Sequence, residues 1–205
     1  MFSIIRFPLL LTCLVAVTLA GCNTNINASS SASQSSQEDK VEALSPEKQE
    51  QVKALIKKGN QKIANGEYEV AIEEFNQALA IEQANAKALG YRGVAHSRLE
   101  NYEQALEDYN QSLKLNDDNY EAYYNRGLVQ TRFEDYDRAI DDFTEAIKRQ
   151  PNFAPAIGSR GFAYAELENY KAAIKDLEKA SQIFEENGNK RVAYRLQRAA
   201  RYIQP

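Results

Sequence analysis

Small and apolar residues recur along this chain every 34 positions. Shifting the stretch 120–153 by this period, twice toward the N-terminus and once toward the C-terminus, gives four aligned copies without a gap. The positions shared by all copies hold a glycine, an alanine, and an aromatic residue or leucine. In chain order they are Gly59, Gly93, Gly127 and Gly161; Ala71, Ala105, Ala139 and Ala173; and Phe75, Tyr109, Phe143 and Leu177. A fixed period of this length indicates a stack of repeated structural units.

The repeated glycines need a physical reason. A glycine inside a helix costs about 1 kcal/mol relative to alanine, yet each copy keeps one. Small side chains let a second helix approach closely, with axes about 8–10 Å apart. We therefore predict that a helix packs against each glycine, and that stacking covers the apolar face which each helix pair leaves exposed.

These positions resemble the tetratricopeptide repeat family, whose 34-residue unit is helix, turn, helix. The resemblance covers roughly residues 52–187 and departs from the family pattern twice. The bulky aromatic residue of the first helix occurs only as Tyr123, and the closing proline only as Pro151. The resemblance implies an all-α fold: a right-handed α-solenoid of four helix-turn-helix repeats over residues 46–189, with a C-terminal capping helix over 190–205.

The N-terminus is typical of an exported protein. An apolar run spans Phe7–Leu19 after a single cation, Arg6, and is too short for a comfortable membrane span. Leu19-Ala20-Gly21-Cys22 resembles the bacterial lipoprotein signal, which implies a signal peptide over 1–21 and acylation of Cys22. The alternative is an ordinary signal peptide with an unrelated cysteine. Two acyl chains or more anchor a protein durably.

Residues 22–45 are predicted to form a flexible tether. Between Asn23 and Gln37 the chain is Ser, Asn, Thr, Gln and Ala, with Ile26 as its one large apolar residue. Such a composition cannot bury enough surface to offset the entropy of ordering. Ser45-Pro46-Glu47 has the features of a helix start. The lipoprotein resemblance implies a protein of the bacterial cell envelope that faces the periplasm or the exterior. With Asn23 after the cysteine, the outer membrane is favoured in a diderm cell.

Charge and cysteine content exclude several classes of function. The chain has 25 basic and 29 acidic residues, and the repeats contain no basic stripe, so we expect no nucleic-acid partner. Its two cysteines are Cys13, inside the signal peptide, and Cys22. The mature domain therefore lacks disulfides and thiolate metal sites. His96 is the single histidine and is read as a partly packed side chain. We predict no enzyme activity, metal or cofactor.

Each copy carries a cation just before its glycine and an acid at a constant spacing after that cation. The pairs are Lys58 and Glu74, Arg92 and Asp108, Arg126 and Asp142, and Arg160 and Asp176. One reading is a basic ladder for an anionic ligand. The preferred reading is a ladder of ion pairs within or between repeats, each contributing well under about 1 kcal/mol if exposed. The acidic residues recur with the repeat and are expected on solvated faces.

In tetratricopeptide proteins the first helices line a concave groove that binds peptides or helices. Carrying the family's groove positions over to this chain gives an apolar floor with two arginines along an edge. The predicted groove residues are Ile56, Asn60, Val94, Arg98, Tyr124, Leu128, Arg132 and Phe162. The family's two-carboxylate clamp is not expected, because Ile56 and Tyr91 replace two of its polar residues. An apolar groove with two arginines suits a partner with hydrophobic anchors and an acidic residue.

The last helix is predicted over Lys190–Ile203, after a turn at Asn187-Gly188-Asn189. Its apolar residues fall on one helical face, and its charged residues are all basic. Solenoids need an end cap with a polar outer face, which is one interpretation of this helix. The other is a basic face for anionic lipid headgroups or for an acidic partner.

Together these patterns favour a membrane-anchored adaptor or scaffold of the bacterial cell envelope. It would bind a partner peptide or helix in its concave groove and help to assemble an envelope complex. An alternative is a structural repeat protein that self-associates into oligomers through its exposed repeat ends. A third hypothesis, an enzyme or metal protein centred on His96, has the weakest support.

Overall fold

The computed structural model describes residues 44–203, which belong to one compact unit. The predicted signal peptide 1–21, the predicted lipidation site Cys22 and nearly all of the predicted tether lie outside this range. Within it, the chain forms nine α-helices and no β-strand. The helices are α1 Pro46–Ala64, α2 Tyr68–Ile81, α3 Ala86–Arg98, α4 Tyr102–Leu115, α5 Tyr120–Arg132, α6 Tyr136–Arg149, α7 Ala154–Glu166, α8 Tyr170–Glu186 and α9 Lys190–Tyr202. The all-α solenoid fold is as the sequence predicted.

Short polar side chains start most of these helices. The Ser45 hydroxyl accepts a hydrogen bond from the amide of Lys48, and Pro46 is the first residue of α1. Asn85 and Asn119 cap α3 and α5 in the same way. These side chains satisfy backbone amides that have no partner inside the helix. The helix start expected near Pro46 is therefore where α1 begins.

Each repeat packs its second helix directly on the glycine of its first. A Cβ atom added to Gly127 would lie 2.7 Å from Cε1 of Phe143, and one added to Gly59 would lie 2.5 Å from Cε1 of Phe75. Both aromatic rings are completely buried. In the fourth repeat the partner of Gly161 is Leu177, at 3.0 Å. The predicted reason for the repeated glycines is thus confirmed.

The turn within each repeat uses a left-handed residue. Gly66 occupies it in the first repeat, whereas Glu100, Glu134 and Glu168 have φ near +60° at the equivalent positions. The next residue then donates its amide to a carbonyl five residues earlier, as Glu67 does to Lys62. This bond ends the helix and satisfies a free carbonyl. A glutamate in this conformation is strained, because its Cβ crowds the backbone.

The predicted ion pairs are present in all four repeats, but they are not surface pairs. Arg126 donates from Nε and Nη2 to the two oxygens of Asp142, at 2.8 and 2.6 Å. Asp142 is only 4% exposed. The acidic member of every pair is buried, so the expectation that the acids lie on solvated faces was wrong for Glu74, Asp108, Asp142 and Asp176. Sequence spacing could not show this burial, since it arises from the packing of helices in space and occurs even at Glu74 in the first repeat.

The same arginines also connect neighbouring repeats. Nη1 of Arg126 donates to Asn110 on the second helix of the preceding repeat, at 2.7 Å, while Arg92 makes the equivalent bond to Asn76. Each guanidinium therefore joins its own repeat to the one before it. Its planar group of five donors suits this bridging, which a lysine could not reproduce. Lys58 forms an ion pair with Glu74, at 2.6 Å, in the equivalent position of the first repeat.

The C-terminal helix closes the stack. Ala193, Leu196 and Ala200 of α9 are buried, and Leu196 and Ala200 belong to the same apolar cluster as Ile157. The buried Ser181 hydroxyl donates to the carbonyl of Ala193, which fixes α9 against α8. The helix ends at Tyr202. None of the helices described above is long and apolar enough to span a bilayer.

Candidate functional site

The candidate site is the face lined by the first helices of the repeats, α1, α3, α5 and α7. Consecutive first helices contact one another along the stack. Among residues 44–203, consecutive second helices make no comparable contact. A stack whose members approach more closely on one side curves toward that side. The first helices therefore line its inner, concave surface, which we call the groove.

The predicted groove residues lie in three rows that follow the repeat period. One row contains Ile56 and Tyr124. The next contains Asn60, Val94, Leu128 and Phe162, and the third contains Arg98 and Arg132. Rows four residues apart share one face of a helix, so the three rows form a continuous strip across the first helices.

The centre of the groove is a cleft of about 280 Å³ between α3 and α5. Four of the predicted residues line it together: Val94, Arg98, Leu128 and Arg132. Val94 and Leu128 are half-buried and supply apolar surface, while both arginines are exposed. In the described part of the chain neither arginine forms an ion pair or a side-chain hydrogen bond with another residue. The cleft thus combines apolar walls with two available guanidinium groups.

Tyr109, which occupies the repeated aromatic position, also lines this cleft. Tyr109 is almost completely buried, yet it lines both the central cleft and a second cleft beside it. No side-chain hydrogen bond within residues 44–203 involves its hydroxyl. Burial raises the pKa of Tyr109, so the phenol stays protonated and can donate. The sequence feature that could have drawn attention to Tyr109 is its hydroxyl, since Phe75 and Phe143 occupy the equivalent position in two other repeats.

Two of the predicted apolar residues lie apart from the central cleft. Tyr124 packs edge-on against Phe153, with ring centroids 5.1 Å apart, and also contacts Phe143. Burial raises the pKa of the Tyr124 phenol, and this ring is as much part of the repeat interface as of the groove. Phe162, on α7, is 46% exposed. It therefore offers apolar surface at the C-terminal end of the strip.

The N-terminal end of the groove has a separate cleft. Ile56 and Asn60 line it together with Lys53, Lys87 and Tyr91. The cleft has a volume of about 550 Å³ and is more open than the central one. The groove therefore holds a polar and apolar cleft at its start, a cleft with two arginines at its centre, and an exposed phenylalanine near its end.

The ion-pair ladder lies between the first and second helices and leaves its arginines occupied. Arg92, Arg126 and Arg160 each donate at least two hydrogen bonds to a buried carboxylate. Hydrogen bonding to Asp142 raises the pKa of Arg126 further. These charges are already neutralised inside the fold. The interpretation of these residues as ion pairs inside the fold, and not as a binding site for an anion, is therefore the correct one. Among the predicted groove residues, the arginines available to an anion are Arg98 and Arg132.

His96 lies beside one of these pairs. Its Nε2 atom is 4.0 Å from Oδ2 of Asp108, and its Nδ1 atom is buried without a hydrogen-bond partner. Burial lowers the pKa of His96, although the nearby Asp108 opposes the shift. Within residues 44–203 no group of three or more histidine, cysteine or carboxylate side chains could hold a metal ion. The surroundings of His96 are those of a packed side chain.

Comparison with protein families gives one match. A family model described as tetratricopeptide repeat matches residues 92–155 and 131–188. Together these ranges cover most of the second repeat and all of the third and fourth. A comparison with curated protein sequences gives no significant match.

Several solved structures share the fold. MamA from Desulfovibrio magneticus is 18% identical, with a TM-score of 0.61, and the match covers 78% of this chain and 97% of that one. A tetratricopeptide repeat protein from Parabacteroides merdae is 22% identical, with a TM-score of 0.62, over 74% of this chain and 58% of that one. The first such domain of Spaghetti, bound to an HSP90 peptide, is 24% identical, with a TM-score of 0.56, over 58% of this chain and 94% of that one. At these identities the likeness concerns the fold alone.

Proposed function

Because the chain is a tetratricopeptide repeat protein, we propose that it is a protein–protein interaction adaptor whose groove holds a segment of its partner. The observation that carries this proposal is the central cleft. There Val94 and Leu128 provide apolar surface beside two arginines that have no partner within residues 44–203. The peptide-bound Spaghetti domain has the same fold, which supports peptide binding as a use for this groove.

The chemistry of the groove favours an extended or helical segment with apolar anchors and at least one carboxylate. Desolvated apolar contacts supply most of the binding free energy in such grooves, and charged groups add orientation and specificity. A carboxylate that reaches Arg98 or Arg132 could accept two parallel hydrogen bonds from the guanidinium. Tyr109, whose protonated phenol is a hydrogen-bond donor, lines the same cleft.

We infer that the protein acts by binding and not by catalysis. Tetratricopeptide repeats are typically interaction modules without catalytic activity. The one histidine is half-buried beside Asp108, where it is poorly placed for proton transfer to a bound molecule. A His96→Ala variant should therefore keep the cellular phenotype of the wild type.

The groove is tested best by site-specific photocrosslinking in cells. A photoreactive phenylalanine analogue is placed at Val94 or Leu128 in the groove and, as a control, at Lys114 or Lys175 on second helices. All four positions avoid the fully buried core. We expect a shared crosslinked partner from both groove positions and none from the controls. The double substitution Arg98→Glu/Arg132→Glu should abolish that product, whereas Lys114→Glu/Lys175→Glu should leave it. Equal crosslinking from the second helices would show that the groove is not the binding site.

We further propose that the protein is a lipoprotein of the bacterial cell envelope, anchored through Cys22 and facing the periplasm or the exterior. The support is the sequence Leu19-Ala20-Gly21-Cys22 after the apolar run Phe7–Leu19. Anchoring beside a membrane would hold the groove near envelope complexes, whose assembly the adaptor would assist. In a diderm cell the outer membrane is the favoured site.

The anchor has a direct test in the mass of the mature protein. We expect cleavage before Cys22, a mass increase equal to the acyl groups, and partition into detergent. A Cys22→Ser variant should lose both the added mass and the partition. Recovery of wild-type protein with an unmodified cysteine would disprove the anchor without affecting the groove proposal.

A further inference from the structure

The outward side of α9 carries only basic residues and tyrosines. Successive residues of a helix are about 100° apart, so the seven most exposed residues of α9 fall within about 140° of each other, opposite its buried face. We call this surface the α9 outer face. It consists of Lys190, Arg191, Tyr194, Arg195, Arg198, Arg201 and Tyr202, all exposed.

The two tyrosines are the most exposed of the large hydrophobic side chains in residues 44–203. Tyr194 is 64% exposed and Tyr202 is 75% exposed. Capping the solenoid does not require them, because Ala193, Leu196 and Ala200 already make the buried contact with the last repeat. The guanidinium of Arg198 lies 5.5 Å from the centre of the Tyr202 ring. The outer face therefore presents rings and cations together.

The charge of this helix is opposite to that of the repeats. Residues 46–189 carry 18 basic and 26 acidic residues, whereas residues 190–205 carry five basic residues and no acid. Two acids of α8, Glu178 and Glu185, line a cleft at the edge of α9 together with Arg201. In the part of the chain that the structure describes, no ion pair includes a cation of α9. The molecule is thus electrically polarised, because the net charge of α9 is positive and that of the repeats is negative.

We propose that the α9 outer face binds the anionic headgroups of a phospholipid bilayer. Cations near an anionic membrane surface are attracted to it, and tyrosines favour the interface, where the ring leaves water while the hydroxyl stays hydrated. The acidic repeats would be repelled from the same surface, so binding would orient the molecule with α9 toward the lipid. This proposal depends neither on the groove nor on the acylation of Cys22.

The shape of the surface favours a bilayer over an acidic protein. The outer face is the surface of one convex helix, and a cleft lies at its edge, between α8 and α9. Protein partners bind with anchors that fill pockets, whereas a convex helix surface projects its side chains outward. A planar array of headgroup phosphates can meet all of its cations at the same time.

The test uses flotation of residues 23–205, the chain that follows the predicted signal peptide and Cys22, with lipid vesicles. Starting every protein at residue 23 removes both the apolar run Phe7–Leu19 and the acylation site, so all variants share the same N-terminus. Vesicles of phosphatidylcholine are compared with vesicles in which roughly one lipid in three is phosphatidylglycerol, at about 0.1 M salt. The test variant is Arg191→Gln/Arg195→Gln/Arg198→Gln. The matched control is Lys171→Gln/Lys175→Gln/Lys179→Gln on α8, which removes three exposed charges from another surface.

We expect the wild type and the α8 control to bind the anionic vesicles and to lose that binding at high salt. Each cation at the membrane surface raises the affinity about fivefold, so the α9 variant should bind about 100-fold more weakly. Replacing the same arginines by lysine should preserve binding, while circular dichroism should give equal helix content for all variants.

Three results would overturn the proposal. The first is equal binding by the wild type and the α9 variant. The second is an equal loss in the α9 and α8 variants, which would mean that net charge, and not this face, controls binding. The third is binding to poly-glutamate without binding to anionic vesicles, which would assign the face to an acidic protein.

Discussion

Replacing Arg126 by alanine should strongly destabilise the fold, because it leaves a buried carboxylate without its partner. Asp142 is 4% exposed, and the side chain of Arg126 is 21% exposed. The substitution removes both hydrogen bonds to Asp142 and the bond to Asn110. Orphaning one member of a buried pair typically costs about 3–5 kcal/mol. An exposed pair of the same residue types, Arg138 and Asp135, should lose no more than about 0.5 kcal/mol in Arg138→Ala.

Urea unfolding followed by far-ultraviolet circular dichroism measures these free energies. The double variant Arg126→Met/Asp142→Leu should recover most of the loss, because replacing a buried pair with apolar residues of similar size is often neutral. Burial already raises the pKa of Asp142, and removing Arg126 takes away a charge that opposes the shift. A raised folded-state pKa favours the fold below the unfolded pKa and disfavours it as pH rises. The cost of Arg126→Ala should therefore be smaller at pH 4.5 than at pH 7.5.

Two results would contradict the argument that Arg126→Ala leaves a buried charge without its partner. If Arg126→Ala costs no more than Arg138→Ala, the carboxylate of Asp142 is solvated in solution and the buried-pair argument is wrong. A cost that stays the same from pH 4.5 to 7.5 would show that the lost packing of the arginine stem dominates, and not the orphaned charge.

Three further predictions use the same unfolding assay. Gly127→Ala places a Cβ atom 2.7 Å from the Phe143 ring and should lower the free energy of unfolding by about 1–3 kcal/mol. Adding Phe143→Leu, which copies the fourth repeat, should recover part of this loss. If the effects of the two substitutions on stability are strictly additive, the predicted clash is wrong. Glu134→Gly should raise stability by about 0.5–1 kcal/mol, since glycine relieves the positive φ that Glu134 adopts, whereas a loss would mean that the glutamate side chain contributes to the fold. Burial lowers the pKa of His96 below its ordinary value of about 6.5, so the unfolded chain takes up the proton first. The free energy of unfolding should therefore fall as the pH drops below about 6.5. His96→Gln should remove this part of the pH dependence, and a variant with the same pH profile as the wild type would contradict the prediction.

The sequence alone determined the repeat architecture. Its regular period establishes which side chains are equivalent, and Gly127 with Phe143 marks a contact between a small residue and a large one that every copy repeats. The constant spacing between cation and acid also identified Arg126 and Asp142 as partners. Both inferences succeed because a solenoid makes the same local contact in each unit, so a pattern along the chain is also a pattern in space.

Other features depend on how the helices pack in space. Asp142 occupies a repeated acidic position in the sequence, and only the packed structure shows that it is buried. Tyr109 occupies the repeated aromatic position, and it lines the central cleft of the groove because α4 packs against both α3 and α5. Glu134 carries no sequence signal for a left-handed turn, since that conformation is imposed by the two helices that it joins. Local period and spacing are properties of the chain, whereas burial, the lining of a cleft and backbone strain are set by contacts between helices.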